Sequence, residues 1–261
     1  MAKGSSSAVV CSWLCVGLMG VCLSAPAVSS AHSCTEGSWY GMQWWTCDGD
    51  ATYIVFGYIA RPGGANDGYG ICLYYVTFMP GGARLRGSYI TCYKESSSGH
   101  SFYQVFAGAG NDLVRLATTT GETCGDNCTI TGQVPDGSYF ELHGEAGSDH
   151  LYLCDQANPA ASDCVDESAA AYGGDGDQDK VYGTPWADYL SGGGGTSDEI
   201  NGHGGADTIH DSGGNGILYG HDGCDALDAD PNAGGDYCAC GTNGGTASGC
   251  DSTDGRCGGC S

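Results

Sequence analysis

The chain has 261 residues, enough for one or two domains, with 31 Asp plus Glu against 8 Lys plus Arg and a net charge of −23. A balance this acidic excludes nucleic acid as a partner, because phosphates would be repelled, and it calls for cations. The acid is concentrated late: residues 173–261 carry fifteen acids and only Lys180 and Arg256, whereas 34–105 is near balance.

Residues 1–31 read as a secretory leader. Lys3 precedes an apolar run from Ala8 to Leu23, and APAVSSA offers small-residue cleavage sites after Ala27 or Ala31. The rival is a short membrane anchor, opposed by Ser12 inside the run and by the lack of a basic stop-transfer flank. A lipoprotein is disfavoured, since no small residue precedes Cys22 and no Leu sits three before Cys34. No other stretch could span a bilayer. Cys11, Cys15 and Cys22 fall in the leader; fourteen cysteines remain, an even number that suits disulfides in an oxidising compartment. A zinc site is the alternative, but Cys257-Gly-Gly-Cys260 has no second CxxC, and Cys238 and Cys240 are too close together.

Residues 32–105 hold more than half of the chain's aromatics. The runs TYIVFGYIA, YGICLYYVTF and SYITCY are rich in β-branched and aromatic residues, and RPGGANDG and MPGG separate them as turns. This predicts a small antiparallel β region, with Cys72 and Cys92 bridged across a hairpin. The cluster Trp39, Tyr40, Trp44 and Trp45 would either stack on a glycan, dock a protein, or pack this unit's core. Residues 106–172 form a degenerate repeat region. AGAGNDLVR (107–115) and GEAGSDHLY (144–152) follow the pattern described next, and Ile130, Phe140 and Leu142 are candidate strand positions between them.

From 173 to 237 the chain keeps a period of nine. Residues 202–210 read GHGGADTIH, 211–219 DSGGNGILY and 220–228 GHDGCDALD; 183–191 read GTPWADYLS, while 173–182 and 192–201 each carry one extra residue. The apolar position is Val181, Leu190, Ile200, Ile209, Leu218, Leu227. The acidic position is Asp179, Asp188, Asp198, Asp207, Gly216, Asp225, and Asp236 begins one more unit. Low-complexity disorder would supply glycine and aspartate but no register. Residues 238–261 are short and glycine-rich, with Cys238, Cys240, Cys250, Cys257 and Cys260; they can only be held by disulfides, as a cap.

These units resemble the hemolysin-type, or RTX, calcium-binding repeat, GGxGxDxUx, strongly over 173–228 and as isolated copies at 107–115 and 144–152. The resemblance implies an all-β chain: a right-handed parallel β-roll (a β-solenoid) preceded by the antiparallel region and closed by the Cys-rich cap. It implies Ca2+ as cofactor. Glycine lets the turn carbonyls converge, and calcium takes six to eight oxygens from carbonyls and carboxylates. Two units make one coil, so residues eighteen apart lie on neighbouring strands, about 4.8 Å away. One side then stacks Asp188, Asp207 and Asp225; the other stacks Asp179, Asp198 and Gly216, which should lose an ion for want of a carboxylate. Trp186 in TPWA makes the start of the first side doubtful. About two to four ions are expected, with Asp112, Asp149, Asp177, Asn111, Asp222 and the turn glycines Gly202, Gly204 and Gly220 as further ligands. Calcium binding and folding should be coupled, because the core is thin and stacked carboxylates repel. Members of this family often leave the cell by a one-step route with a C-terminal signal; an N-terminal leader and a cysteine-rich tail point instead to general secretion followed by oxidation.

Catalytic patterns are missing from the sequence: no HExxH and no GxSxG. Asp48 and Asp50 could pair as carboxylates, but a polar turn explains them; His100 and Ser101 lack a third member. His203 and His221 share a repeat position and would either bind a transition metal or simply be exposed turn residues; His143, His150 and His210 show no pattern. The expectation is a secreted, non-enzymatic calcium-binding protein with a structural or adhesive role at the cell surface. The alternatives are a glycan- or protein-binding module at 34–105 carried on the roll, and a hydrolase with an unrecognised site.

Overall fold

The computed structural model describes residues 33–39, 42–48, 53–60, 68–78, 84–94, 102–117, 122–124, 128–132, 138–154, 164, 168–232 and 234–260. The sequence-predicted leader at 1–31 lies outside them, as do Tyr40, Asp50, His100, Ser101 and the predicted turn segments 61–67 and 79–83. The described chain is all strand and turn. No helix among the described residues is long and apolar enough to cross a membrane.

The aromatic-rich runs are strands, as their composition predicts. β1 (Ser33–Trp39) pairs antiparallel with β2 (Met42–Asp48), and β3 (Tyr53–Ala60), β4 (Gly68–Phe78) and β5 (Arg84–Lys94) form an antiparallel meander. Cys34 is bonded to Cys47 across the first pair. Cys72 is in a disulfide, and Cys92 is its register partner in the β4–β5 ladder. The region is not purely antiparallel, however. β2 pairs in parallel with β6 (Phe102–Phe106), and β3 in parallel with β7 (Leu113–Leu116). The sheets therefore run without a break past residue 105. β8 (Glu122–Cys124) and β9 (Cys128–Thr131) form a hairpin, and β9 adds to β3.

Beyond this point successive strands alternate between two sheets: β10 pairs in parallel with β6 and β11 with β7, and from β12 on each pairs in parallel with the strand two places back. β10 (Tyr139–Glu145), β12 (Ala170–Asp175), β14 (Tyr189–Gly194), β16 (Thr208–Asp211), β18 (Asp225–Ala229) and β20 (Gly245–Ser248) continue the first sheet. β11 (His150–Tyr152), β13 (Lys180–Tyr182), β15 (Glu199–Asn201), β17 (Ile217–Tyr219), β19 (Tyr237–Ala239) and β21 (Ser252–Thr253) continue the second. The register keeps the apolar column that the period of nine predicts. Leu142, Ala171, Leu190, Ile209 and Leu227 are partners along one sheet; Val114, Leu151, Val181, Ile200, Leu218 and Cys238 are partners along the other. All are buried, in one core cluster that also contains Trp45, Phe56 and Phe140.

Between strands the turns lie directly on one another, which fixes their glycines. Gly195 sits at φ +114°, and a β-carbon there would fall 1.7 Å from the carbonyl oxygen of Gly176 in the turn below. No side chain fits such a stack. At the C-terminal end Cys238–Cys250, Cys240–Cys257 and Cys224–Cys260 tie the last strands together. Upstream, Cys154–Cys164 closes the insertion that separates β11 from β12.

Candidate metal centre

Each unit places its sixth residue where the turn enters the strand, pointing inward. The structure brings these aspartates into two rows, grouped as their spacing predicts. In one row the Asp112 N–H donates to Asp149 Oδ1 (2.7 Å), the Asp149 N–H to Asp179 Oδ1 (2.7 Å) and the Asp179 N–H to Asp198 Oδ1 (2.8 Å). Further along, the Gly216 N–H donates to Asp236 Oδ1 (2.7 Å). In the other row the Ala169 N–H donates to Asp188 Oδ1 (2.8 Å), the Asp188 N–H to Asp207 Oδ1 (2.8 Å) and the Asp207 N–H to Asp225 Oδ1 (2.9 Å). Every one of these carboxylates is buried. One oxygen of each is thus used to tie a turn to its neighbour.

The second oxygen is the unusual one. Oδ2 of Asp179, Asp198, Asp207, Asp211, Asp225 and Asp236 is buried and accepts no hydrogen bond among the described residues. A buried, uncompensated carboxylate oxygen is costly, so the charge must be neutralised by a proton or a cation. Burial, above all, pushes Asp207 up to about 9, and the Asp188 and Asp225 charges push the same way against the Asp188 N–H. Burial likewise raises Asp179 and Asp198 to about 7 and Asp188 to about 6. Asp211 and Asp225 are raised for the same first cause. The cation count is low here: Lys180 is engaged with Glu199 at 2.6 Å, outside the rows.

Asp188 is the exception, and the TPWA turn explains it. Its Oδ2 accepts from the Thr184 N–H (2.6 Å) and from the Thr184 hydroxyl (2.8 Å). Where the turn departs from glycine, it supplies donors of its own.

The turn glycines flank the Oδ2 atoms. A β-carbon on Gly202 would fall 2.2 Å from Asp207 Oδ2, and one on Gly220 would fall 2.2 Å from Asp225 Oδ2. Gly204 bridges in parallel to Asp222 in the next turn. Asn111, Asp177 and Asp222 are exposed at the turns and are not drawn into the rows. Asn111 Oδ1 accepts from the Ser148 N–H (2.9 Å) and Asp177 Oδ1 from the Thr196 hydroxyl (3.0 Å), while Asp222 Oδ1 accepts from the Thr242 hydroxyl. Among the described residues no three His, Cys, Asp or Glu side chains converge as a metal group. An ion at a row would therefore need backbone carbonyls beside one or two carboxylates, a ligand set suited to calcium. Asp211 is the buried carboxylate that the repeat consensus does not mark. Its signal is present in DSGGNG, where aspartate and glycine have exchanged places.

The other candidates resolve differently. The His203 and His221 rings are stacked at 5.8 Å and 11°. His221 Nε2 lies 3.3 Å from Asn201 Oδ1. His143 is stacked between Phe106 and Tyr172. Of the aromatic cluster, Trp45 is fully buried and lies against Phe56 and Tyr103, and Phe56 packs on Phe140. These rings are core. Comparison of the chain with protein-family models, with curated proteins and with solved structures gave no match in any of the three.

Proposed function

We propose that this chain is a secreted calcium-binding protein whose glycine–aspartate repeats form a right-handed parallel β-roll of the RTX type. Calcium completes its folding, and its role is structural or adhesive at the cell surface. The observation that carries the reading is the pair of carboxylate rows with buried Oδ2 atoms lacking donors. Asp207 and Asp225, with the carbonyls of Gly202, Gly204 and Gly220, would hold one ion; Asp179 and Asp198 would hold another on the opposite side. The ion supplies positive charge where desolvation otherwise forces proton uptake. Calcium fits better than magnesium, which demands octahedral geometry and keeps its water. Parallel pairing two strands apart supports the roll, and the disulfides support export to an oxidising compartment.

The test is a circular dichroism titration of the oxidised, leader-free protein from chelator to about 10 mM calcium, well above the range of extracellular modules, with magnesium as control. The expected result is a cooperative, calcium-specific gain of β signal. Asp207→Asn should shift its midpoint about tenfold, equivalent to about 1.4 kcal/mol. β structure already complete in chelator and indifferent to calcium would overturn the proposal.

A further inference from the structure

The unit at 211–219 breaks the consensus twice. Its first residue, normally glycine, is Asp211, and its sixth, normally aspartate, is Gly216. Read alone, the second change deletes a carboxylate and with it an ion. The structure shows the two changes to be one exchange. In ordinary units the glycine at the first position faces Oδ2 of the aspartate at the sixth, as Gly202 faces Asp207 and Gly220 faces Asp225. At 211–219 the relation is inverted: a β-carbon on Gly216 would fall 2.0 Å from Asp211 Oδ2. The carboxylate tip ends in the same space between the first and sixth positions, but it is anchored from the opposite end.

This carboxylate is not a surface acid. Asp211 is fully buried, and its Oδ2 accepts no hydrogen bond among the described residues. The Gly213 N–H reaches its Oδ1 at a long 3.3 Å, and the Ser212 N–H also bonds this carboxylate. It also converges with the row below. A β-carbon on Gly192 would fall 2.8 Å from Asp211 Oδ1 and 3.1 Å from Asp198 Oδ2, so the two carboxylates flank one point beside that turn. Asp198 Oδ2 is likewise buried without a donor. Asp236 continues the row on the far side of Gly216.

We propose that Asp211 supplies the carboxylate that Gly216 lacks, so that a divalent cation of the calcium class binds between Asp198 and Asp211 and the row is uninterrupted from Asp179 to Asp236. This rests on the calcium reading above. Gly216 is then required: a side chain at 216 and a carboxylate at 211 compete for the same volume.

The test is bound calcium per chain, measured by equilibrium dialysis against calcium buffer, on oxidised mature protein. Asp211→Gly and Asp211→Asn should each lose one ion relative to wild type. The double variant Asp211→Gly with Gly216→Asp, which restores the consensus order, should regain it. Gly216→Asp alone should lower calcium-bound stability through crowding. Asp207→Asn, in the opposite row, is the control for calcium binding as such. An unchanged ion count in both Asp211 variants, with a loss in Asp207→Asn, would overturn this inference and leave the calcium reading intact. Wild-type protein with no bound calcium would overturn the calcium reading and this inference with it.

Discussion

Without calcium, the protein should be stabilised by acid, the reverse of the usual behaviour. The ordinary Asp value is 3.8, and in the folded chain Asp207 stands at about 9. Below 3.8 the group is protonated in both states and costs nothing. Between 3.8 and 9 folding must take up a proton, so the cost rises by about 1.4 kcal/mol per pH unit and reaches about 4 kcal/mol at pH 7. Asp188 adds to this slope until about 6, and Asp179 and Asp198 until about 7. Four protons taken up together would give about 5 kcal/mol per pH unit; solvent near the turns screens part of each charge, and about half that slope is expected. Against a total stability of about 5–15 kcal/mol, this separates a folded chain at about pH 5 from a largely unfolded one at about pH 8. Urea unfolding in metal-free buffer, followed by circular dichroism at several pH values, measures the slope directly. Saturating calcium should flatten it, because the ion replaces the protons. Metal-free stability that is level or rises with pH over this range would refute the reasoning, since the rows could then carry their charge unaided.

Two glycine substitutions and one at Thr184 probe how the turns are built. Gly195→Ala puts a β-carbon on the Gly176 carbonyl at a positive φ and should cost about 3 kcal/mol or prevent folding. Gly258→Ala, with nothing within 4 Å, should change thermal stability by less than about 0.5 kcal/mol. Thr184→Val keeps the backbone donor to Asp188 but removes the hydroxyl at 2.8 Å. It should lower the metal-free stability, read by urea unfolding, by about 1–2 kcal/mol.

The apolar column and the two carboxylate rows were legible because a period of nine repeats both within one side and across the two sides. A residue one coil along, eighteen positions on or nineteen where a unit carries an extra residue, meets its counterpart. The parallel pairing of β2 with β6 and of β3 with β7 was not legible. Met42 faces Phe102, and the β4–β5 meander between them erases any fixed spacing. Ile54 to Gly57 of β3 are buried in succession, and such a continuous apolar run reads alike for parallel and antiparallel neighbours. Asp211 escaped because a consensus scores each position separately, whereas the volume between positions one and six is shared. Thr184 escaped for a related reason: loss of glycine reads only as a damaged turn, and its two donors to Asp188 Oδ2 become visible only in three dimensions. Of the cysteines, only Cys72 with Cys92 was legible as a pair, from the hairpin that makes them register partners; the other pairings could not be deduced, since spacing alone leaves connectivity open.

The fasteners of the fold divide along the chain. Cys34–Cys47 holds one end, and Cys224–Cys260, Cys238–Cys250 and Cys240–Cys257 hold the other. The sequence has no cysteine from 165 to 223, and Asp179, Asp188, Asp198, Asp207 and Asp211 all lie in that interval. Its core is one aliphatic side chain per strand, whereas the first strands share the wider cluster of Trp45, Phe56, Tyr103 and Phe140. Removal of calcium should therefore act unevenly. The proton cost at Asp207 alone, about 4 kcal/mol at neutral pH, corresponds to about a thousandfold in an opening equilibrium. Amide exchange of β13 to β17 should accelerate by that order in chelator, while the β1–β3 end, closed by its own disulfide and aromatic core, should change little. Equal loss of protection at both ends would show a single cooperative unit, and the division of labour between carboxylates and disulfides would then be wrong.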